Sequence, residues 1–263
     1  MKTRKVNVNG ESIAYLDNGK GDVSLLLIHG AFINKEYWSQ QLSHFSKTYR
    51  VLALDLPGHG DSSYNRTDWT VQNYGRDICG FIKELSLQNV ILIGHSFGSD
   101  VMLEAAALDA TQIKGLVEVD HMKNVGVPLP KETIEHLGQS LRTDFKATCE
   151  QFARQVLVTE RTNPELVNRL LHDFGRVNPE VGIPLLENTF SYTKREIELL
   201  RGLDLKLNLL HVDYMPTSEE NLQRYLADNY QVHTLSGTCH YPMIESPDKF
   251  NMALENILDK LTN

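Results

Sequence analysis

Three short runs of branched apolar residues constrain the fold of this chain more than any other feature. They read VSLLLI at 23–28, RVLAL at 50–54 and NVILI at 89–93, and turn residues soon follow each of them. Such runs are typical of strands that are buried on both faces of a parallel sheet. Helical patterns lie between them, and a strand, helix, strand connection within one sheet crosses over with a right hand. The sequence therefore predicts a doubly wound α/β fold.

The first residues of the chain depart from this alternation. In the stretch KVNVNGESIAYLDNG, apolar and polar residues alternate on either side of Asn9-Gly10. An Asn-Gly pair readily takes the two positive φ angles of a tight hairpin turn. We therefore expect an antiparallel β-hairpin ahead of the parallel strands.

A long helical segment interrupts the alternation in the middle of the chain. Residues 121–202 lie between two further strand patterns, and a loop of that length without structure of its own is uncommon in a compact domain. Apolar residues recur there at helical spacing, and Asn163-Pro164 and Asn178-Pro179 are typical helix starts. We expect residues 1–120 and 203–263 to form one core, with residues 121–202 inserted after the sixth strand as a helical cap.

The composition argues against several classes of partner. The 26 Lys and Arg residues face 34 Asp and Glu residues, so the formal net charge is −8, which disfavours nucleic acid and anionic membranes. No apolar run reaches the length of a membrane span, and the N-terminus lacks the apolar region of a secretory leader. Cys79, Cys149 and Cys239 are few and widely spaced, as in proteins of a reducing compartment. These observations predict a soluble cytoplasmic protein.

The stretch GHSFG at 94–98 sets Ser96 between two glycines, where a strand pattern gives way to a helix pattern. A sharp strand-to-helix turn imposes strained backbone angles on its central residue, and small neighbours such as Gly94 and Gly98 avoid clashes there. The turn raises the serine hydroxyl above the sheet and leaves the N–H of Phe97 at a helix start, where an oxyanion would form. We interpret Ser96 as a nucleophile, because an ordinary tight turn does not require both the flanking strand and the flanking helix.

A base and an acid for this serine are expected at the ends of other strands, because open α/β sheets bind ligands at the carboxyl ends of their strands. His240 follows the last strand pattern in a turn between Gly237 and Pro242, which makes it the preferred general base. Two aspartates end buried strand patterns at the same edge, Asp120 after IKGLVEV and Asp213 after LKLNLLHV. Either carboxylate could orient the imidazole of His240.

Five motifs resemble those of the α/β-hydrolase superfamily and occur in the same order, namely LLLIHGAF, LALDLPGHGDSS, LIGHSFGSD, LLHVDYMP and GTCHYPMIESPDKFN. The resemblance covers essentially the whole chain. It implies a sheet of about eight mostly parallel strands, with the serine, the acid and the histidine following one another along the chain. The resemblance also implies Asp213, in the LLHVDYMP motif, as the acid, with Asp120 as the alternative. The second oxyanion N–H would come from Ala31, with Phe32 as the alternative donor.

The same resemblance implies a serine hydrolase that cleaves a carboxylic ester or a related carbonyl substrate through an acyl-enzyme. Ser96, Asp213 and His240 would form the catalytic triad, and the N–H groups of Ala31 and Phe97 would hold the oxyanion. This chemistry requires no cofactor or metal. The apolar helices of the cap indicate a small, partly hydrophobic substrate. Two alternatives stay open, a ligand receptor of slow turnover and a carbon–carbon bond hydrolase with a similar triad.

Overall fold

The computed structural model describes residues 1–262 and contains one sheet of eight strands. The strands are β1 (Arg4–Val8), β2 (Glu11–Asp17), β3 (Ser24–Ile28), β4 (Arg50–Leu54), β5 (Val90–His95), β6 (Ile113–Val119), β7 (Leu207–Val212) and β8 (Tyr230–Leu235). Their order across the sheet is β1-β2-β4-β3-β5-β6-β7-β8. Strands β3 to β8 run parallel to one another, and β2 pairs antiparallel with both β1 and β4. The predicted mostly parallel α/β sheet is confirmed.

The residues that predict the strands also explain their places in the sheet. Asn9 and Gly10 have positive φ angles of 50° and 87°, and they close the β1–β2 hairpin as expected of an Asn-Gly pair. Every residue of β3 and β5 is buried. Complete burial is expected of strands in the middle of a sheet that is covered on both faces, and it explains why these strands read as continuous apolar runs.

The described residues also form eleven α-helices. They are α1 (Ser39–Phe45), α2 (Val71–Glu84), α3 (Phe97–Leu108), α4 (Lys131–Thr143), α5 (Phe145–Phe152), α6 (Pro164–Phe174), α7 (Pro179–Phe190), α8 (Thr193–Arg201), α9 (Glu219–Leu226), α10 (Pro242–Glu245) and α11 (Pro247–Thr262). A 3₁₀ turn at Lys35–Trp38 precedes α1, and a π-helical turn at Ala153–Leu157 follows α5. Within residues 1–262, none of the helices combines the length and the apolar character needed to cross a bilayer.

Five of these helices, α4 to α8, lie between β6 and β7 and make up most of residues 121–202, which we call the insertion. Its two Asn-Pro pairs begin helices as predicted. The side chains of Asn163 and Asn178 accept the N–H groups of Glu165 and Glu180 and so cap α6 and α7. Asp144 caps α5 in the same way and separates it from α4. The insertion therefore consists of short helices, three of them with side-chain caps, rather than one long loop.

Candidate active site

Ser96 lies in the sharp turn between β5 and α3, at the carboxyl edge of the sheet. Its φ and ψ angles are 52° and −126°, a region that residues other than glycine rarely occupy. A Cβ atom at Gly94 would lie 2.5 Å from the carbonyl oxygen of Gly98, and one at Gly98 would lie 2.6 Å from that of Ile28. The turn can therefore close only with glycine at both positions. This is the strand, turn and helix geometry that the GHSFG motif predicts.

His240 lies in the turn after β8, and its Nδ1 atom is 2.9 Å from Oδ2 of Asp120. Because an ionised carboxylate can only accept a hydrogen bond, Nδ1 carries the proton and Nε2 is the basic nitrogen. His240 and Ser96 line the same cavity. Within residues 1–262 no direct hydrogen bond joins their side chains, as is common for a nucleophile and its base before substrate binds.

Asp120 directly follows β6 and is buried. Its Oδ1 atom lies 2.7 Å from Nζ of Lys123 and accepts the N–H of Val212 at 2.9 Å. Burial by itself would raise the pKa of this carboxyl group, but the hydrogen bond and charge of His240, together with the charge of Lys123, hold the pKa well below its usual range. Asp120 therefore stays ionised and is able to orient His240 and stabilise the imidazolium.

The structure corrects the preference for Asp213 as the acid. Asp213 is exposed, and its N–H donates to the carbonyl of Leu235 at 3.0 Å, so the residue prolongs the pairing of β7 with β8. Its carboxylate accepts the N–H of Gly237 at 3.2 Å instead of meeting the imidazole. The residue that meets Nδ1 of His240 is Asp120, the alternative that the sequence left open.

Two further histidines hold the backbone around the site. Nε2 of His95 donates to the carbonyl oxygen of His240 at 2.7 Å, and burial keeps the pKa of His95 well below its ordinary value, so this ring is neutral. Nδ1 of His29 donates to the carbonyl of Gly30 at 2.7 Å, and its Nε2 accepts the N–H of Leu56 at 3.0 Å. The sequence offers one signal for His95, its position directly before Ser96, but not its contact with a residue 145 positions later.

The N–H groups expected to hold an oxyanion lie beside Ser96. Phe97 is the first residue of α3, and Ala31 follows the loop glycine Gly30; all of them line the cavity that contains Ser96. A Cβ atom at Gly30 would lie 3.1 Å from Cβ of Ser96, so this glycine lets the loop approach the nucleophile closely. The N–H groups of Ala31, of Phe97 and of the alternative donor Phe32 donate to no other group in residues 1–262. All three are therefore available to a bound ligand.

The cavity has a volume of about 310 Å³, which is the size of a small-molecule site. The sheet edge supplies its polar floor, and the insertion supplies an apolar wall that includes Leu137, Leu141, Phe152, Leu157, Phe174 and Phe190. Polar groups of the insertion interrupt this wall at His121, Asn124, Thr148, Thr189 and Glu196. The cavity therefore suits a ligand that is mainly apolar but carries polar groups.

Two cysteines lie near the serine and could compete with it as a nucleophile. Cys149 lines the cavity, and Cys239 directly precedes His240. Burial raises the pKa of Cys149 to about 12 and that of Cys239 to about 11. Both thiols are therefore protonated at neutral pH, and the reactive form of a cysteine is the thiolate. This leaves the Ser96 hydroxyl as the nucleophile best placed to react.

A second group of polar side chains borders the same cavity. Asp100, His121 and Glu196 each offer one potential metal-ligating atom, and these atoms lie within 4.8 Å of one another. The group shares no residue with the Ser96, His240 and Asp120 arrangement. It is therefore a separate site.

Comparison with known proteins gives a matching family model and several relatives. Residues 25–253 match the family model described as the alpha/beta hydrolase family. Over 247 residues, 90% of this chain and 83% of the relative, the sequence is 26% identical to a putative esterase/lipase of Haemophilus influenzae. Over 249 residues, 88% of this chain and 89% of the relative, it is 22% identical to the Karrikin insensitive 2 receptor CA of Petunia hybrida.

A shorter match and a solved structure complete the comparison. Over 91 residues the chain is 40% identical to (E)-2-((N-methylformamido)methylene)succinate hydrolase of Acinetobacter baylyi, and this match spans only 34% of that relative's length. The structure of a thermophilic esterase from Thermogutta terrifontis superposes with a TM-score of 0.84 at 20% identity, with 100% of both chains covered. At that identity the likeness shows a shared fold.

Proposed function

Because this chain belongs to the alpha/beta hydrolase family, we propose that it is a serine hydrolase that cleaves a carboxylic ester or a related carbonyl substrate of small size. One observation carries the proposal. His240, whose Nδ1 is 2.9 Å from the Asp120 carboxylate, lines the same cavity as a serine in a strained strand-to-helix turn. A nucleophile, a base and an orienting acid in this arrangement are the parts of a hydrolytic triad.

The proposed reaction uses Ser96, His240 and Asp120 in two steps. Nε2 of His240 takes the hydroxyl proton as Oγ of Ser96 attacks the carbonyl carbon, and the N–H groups of Ala31 and Phe97 hold the oxyanion. The imidazolium then gives its proton to the departing alcohol, which leaves an acyl-enzyme. Water attacks this ester with the same histidine as base, and the acid is released while Ser96 regains its proton.

The insertion acts in this proposal as the cap that selects the substrate. Its apolar wall favours an acyl or alcohol group without charge, and the whole-length likeness to a putative esterase/lipase supports an ester. Burial of that group also excludes water from the carbonyl carbon until the acyl-enzyme has formed. We place the protein in the cytoplasm, which the three free thiols of Cys79, Cys149 and Cys239 support.

The test compares two serines of the same turn. Fluorophosphonate labelling and hydrolysis of p-nitrophenyl esters of increasing acyl length are measured on the wild type, Ser96→Ala and Ser99→Ala. Ser99 is the matched control because its hydroxyl is buried and donates to the carbonyl of Gly94 at 2.7 Å. Labelling is expected at Ser96 in the wild type and in Ser99→Ala. Ester hydrolysis should fall by about 10⁴-fold or more in Ser96→Ala. Equal rates in wild type and Ser96→Ala would refute the proposal.

A receptor of slow turnover is the second candidate function, because the whole-length match to a Petunia hybrida receptor favours it. Such a protein would react with fluorophosphonate through the same serine but would not turn over repeatedly. Multiple turnovers on any ester of the panel favour the enzyme. A single burst of one product per chain, without a steady state, favours the receptor.

A further inference from the structure

Asp100, His121 and Glu196 come from three separate parts of the fold. Asp100 lies on α3, His121 lies in the turn after β6, and Glu196 lies on α8 of the insertion. Asp100 and Glu196 are buried. Glu196 also lines the cavity wall, together with His121. The cluster therefore lies where the core and the insertion meet, with one side in the protein and the other side toward the cavity.

Only one of the two carboxylate oxygens of Asp100 has a hydrogen-bond partner within residues 1–262. Its Oδ2 atom is 3.0 Å from Nε2 of His121. Its Oδ1 atom is buried and has no hydrogen-bond partner within residues 1–262. Only 2% of Asp100 is exposed, so bulk water does not compensate this oxygen. A buried carboxylate oxygen without a partner, beside two other potential ligands, is a group that a bound cation would satisfy.

Two of the cationic side chains on neighbouring segments, Lys123 and Arg195, are engaged elsewhere. Nζ of Lys123 contacts Asp120 at 2.7 Å and the carbonyl of Val212 at 2.7 Å. The guanidinium of Arg195 makes two hydrogen bonds, each of 3.0 Å, to the carboxylate of Glu104. Lys123 and Arg195 are therefore not the groups that supply positive charge to the two carboxylates of the cluster.

The dimensions and supports of the cluster suit a metal ion. Ligand atoms at about 2.1 Å from a metal lie about 3.0–3.4 Å from one another in octahedral or tetrahedral geometry. The Asp100–His121 pair, at 3.0 Å, already has this spacing. The side chain of Glu118 accepts the N–H groups of His121 and Met122, and this contact fixes the turn that carries the imidazole.

We propose that Asp100, His121 and Glu196 bind one divalent metal ion of the Zn²⁺ or Mn²⁺ class in the wall of the cavity. A site with three protein ligands keeps open coordination positions. Because His121 and Glu196 line the cavity, these positions face the ligand space, and the ion holds an oxygen atom of the ligand away from the reacting carbonyl. The site is independent of the proposed hydrolysis, since none of its ligands belongs to the triad.

The test is a direct titration of metal-free full-length protein with Zn²⁺ against a chromophoric chelator at neutral pH. We expect one equivalent to bind with a dissociation constant in the micromolar range or below, and Glu196→Gln and Asp100→Asn each to weaken binding by at least tenfold. Glu198→Gln is the matched control, because Glu198 lies on the same helix and its side chain is 52% exposed. Ser96→Ala is titrated in parallel and should bind like the wild type, so the metal site is assessed separately from the hydrolase.

Two outcomes would overturn the proposal. One is the absence of stoichiometric binding up to 100-fold excess of metal. The other is equal affinity in wild type, Glu196→Gln and Asp100→Asn, which would indicate adventitious binding. The spectrum of the Co²⁺ form tests for thiolate ligation, since sulfur would add a charge-transfer band that oxygen and nitrogen ligands lack. Circular dichroism of each variant verifies the fold, and a misfolded Glu196→Gln would leave Asp100→Asn to decide.

Discussion

Asp120 and Asp213 end neighbouring parallel strands at the same edge of one sheet, yet they have opposite surroundings. Asp120 is buried among His240, Lys123 and the N–H of Val212, whereas Asp213 is exposed and meets only the turn at Gly237. The backbone makes the difference. Both N–H groups still pair with the neighbouring strand, Asp120 with Leu210 and Asp213 with Leu235, but Asp120 has a left-handed φ angle of 53°, which Asp213 does not have. Position at a strand end therefore does not by itself define a catalytic acid.

The comparison also shows what a buried acid needs besides its histidine. The charge of Lys123 opposes that of Asp120, and the ring N–H of His240 and the backbone N–H of Val212 add two hydrogen bonds. Without such partners, burial would favour the protonated acid, which could not stabilise an imidazolium. Nζ of Lys123 in turn lies 4.0 Å from the ring centre of Tyr214, so an aromatic face supports the lysine.

The largest expected effect separates the two aspartates directly. Asp120→Asn should lower kcat for ester hydrolysis by about 10⁴-fold, because an amide can hold the imidazole in the wrong tautomer and cannot stabilise its charge. Asp213→Asn should stay within about threefold of the wild type, since an exposed carboxylate away from the reacting atoms contributes little. Steady-state kinetics on one p-nitrophenyl ester measures both. A steep loss in Asp213→Asn and a small one in Asp120→Asn would reverse the assignment.

Removal of Lys123 should lower the stability of the protein, because its ammonium group pairs with the buried carboxylate of Asp120. Its side chain is 4% exposed, and loss of a charged hydrogen bond at such a site costs about 1.5–3 kcal/mol of unfolding free energy. We therefore expect Lys123→Met to lower stability by this amount in urea denaturation. Lys131→Met, at a lysine with 88% exposure, is the control and should change stability by less than about 0.5 kcal/mol. Equal effects would show that Lys123 does not stabilise Asp120.

The difference in unfolding free energy between the wild type and Asp120→Asn should depend on pH in a defined direction. The native pKa of Asp120 is depressed, so in acid the unfolded chain takes up a proton more readily than the native protein does. The stability advantage of the wild type over Asp120→Asn should thus be fully present above pH of about 4, the ordinary value, and shrink as the pH falls below it. Urea denaturation of both proteins at neutral and acidic pH measures this difference. A difference that stays constant with pH would contradict the depressed pKa.

The smallest effect concerns the hydroxyl of Tyr214, which lies 3.4 Å from Nδ1 of His240. At this distance the contact is weak compared with the 2.9 Å bond to Asp120. Tyr214→Phe keeps the ring beside Lys123 and should lower kcat/KM by no more than about threefold. A loss close to that of Asp120→Asn would mean that the tyrosine, and not only the carboxylate, orients the base.

Features that depend on a few consecutive residues could be predicted from the sequence. The Asn9-Gly10 hairpin, the buried strands and the capped helices of the insertion follow from local patterns, and so does the turn at Ser96, whose two glycines are each in contact with backbone atoms. The sequence also placed His240 beside the serine turn. In each case the physical cause lies within about ten residues of the feature.

The choice of acid and the second polar cluster could not be predicted in the same way. Asp120 and Asp213 follow similar apolar runs, and what decides between them is a backbone angle and the position of Lys123. A lysine three residues after Asp120 was the one available signal. The cluster of Asp100, His121 and Glu196 joins a core helix, a turn and a helix of the insertion, and no local pattern connects them.

The order of the functional residues along the chain has a consequence for synthesis. Ser96 and Asp120 both precede the insertion, whereas His240 follows β8, and 120 residues separate the acid from the histidine that it orients. A growing chain that has passed Asp120 therefore contains the proposed nucleophile and the proposed acid but not the proposed base. Pairing of β6 with β7 brings Leu116 beside Leu207 across the whole insertion, so this contact closes a large loop and is slow to form. Under the proposed assignment, Ser96 therefore becomes reactive only after His240 has been synthesised and β7 has joined the sheet, so the onset of its reactivity would report this step of folding.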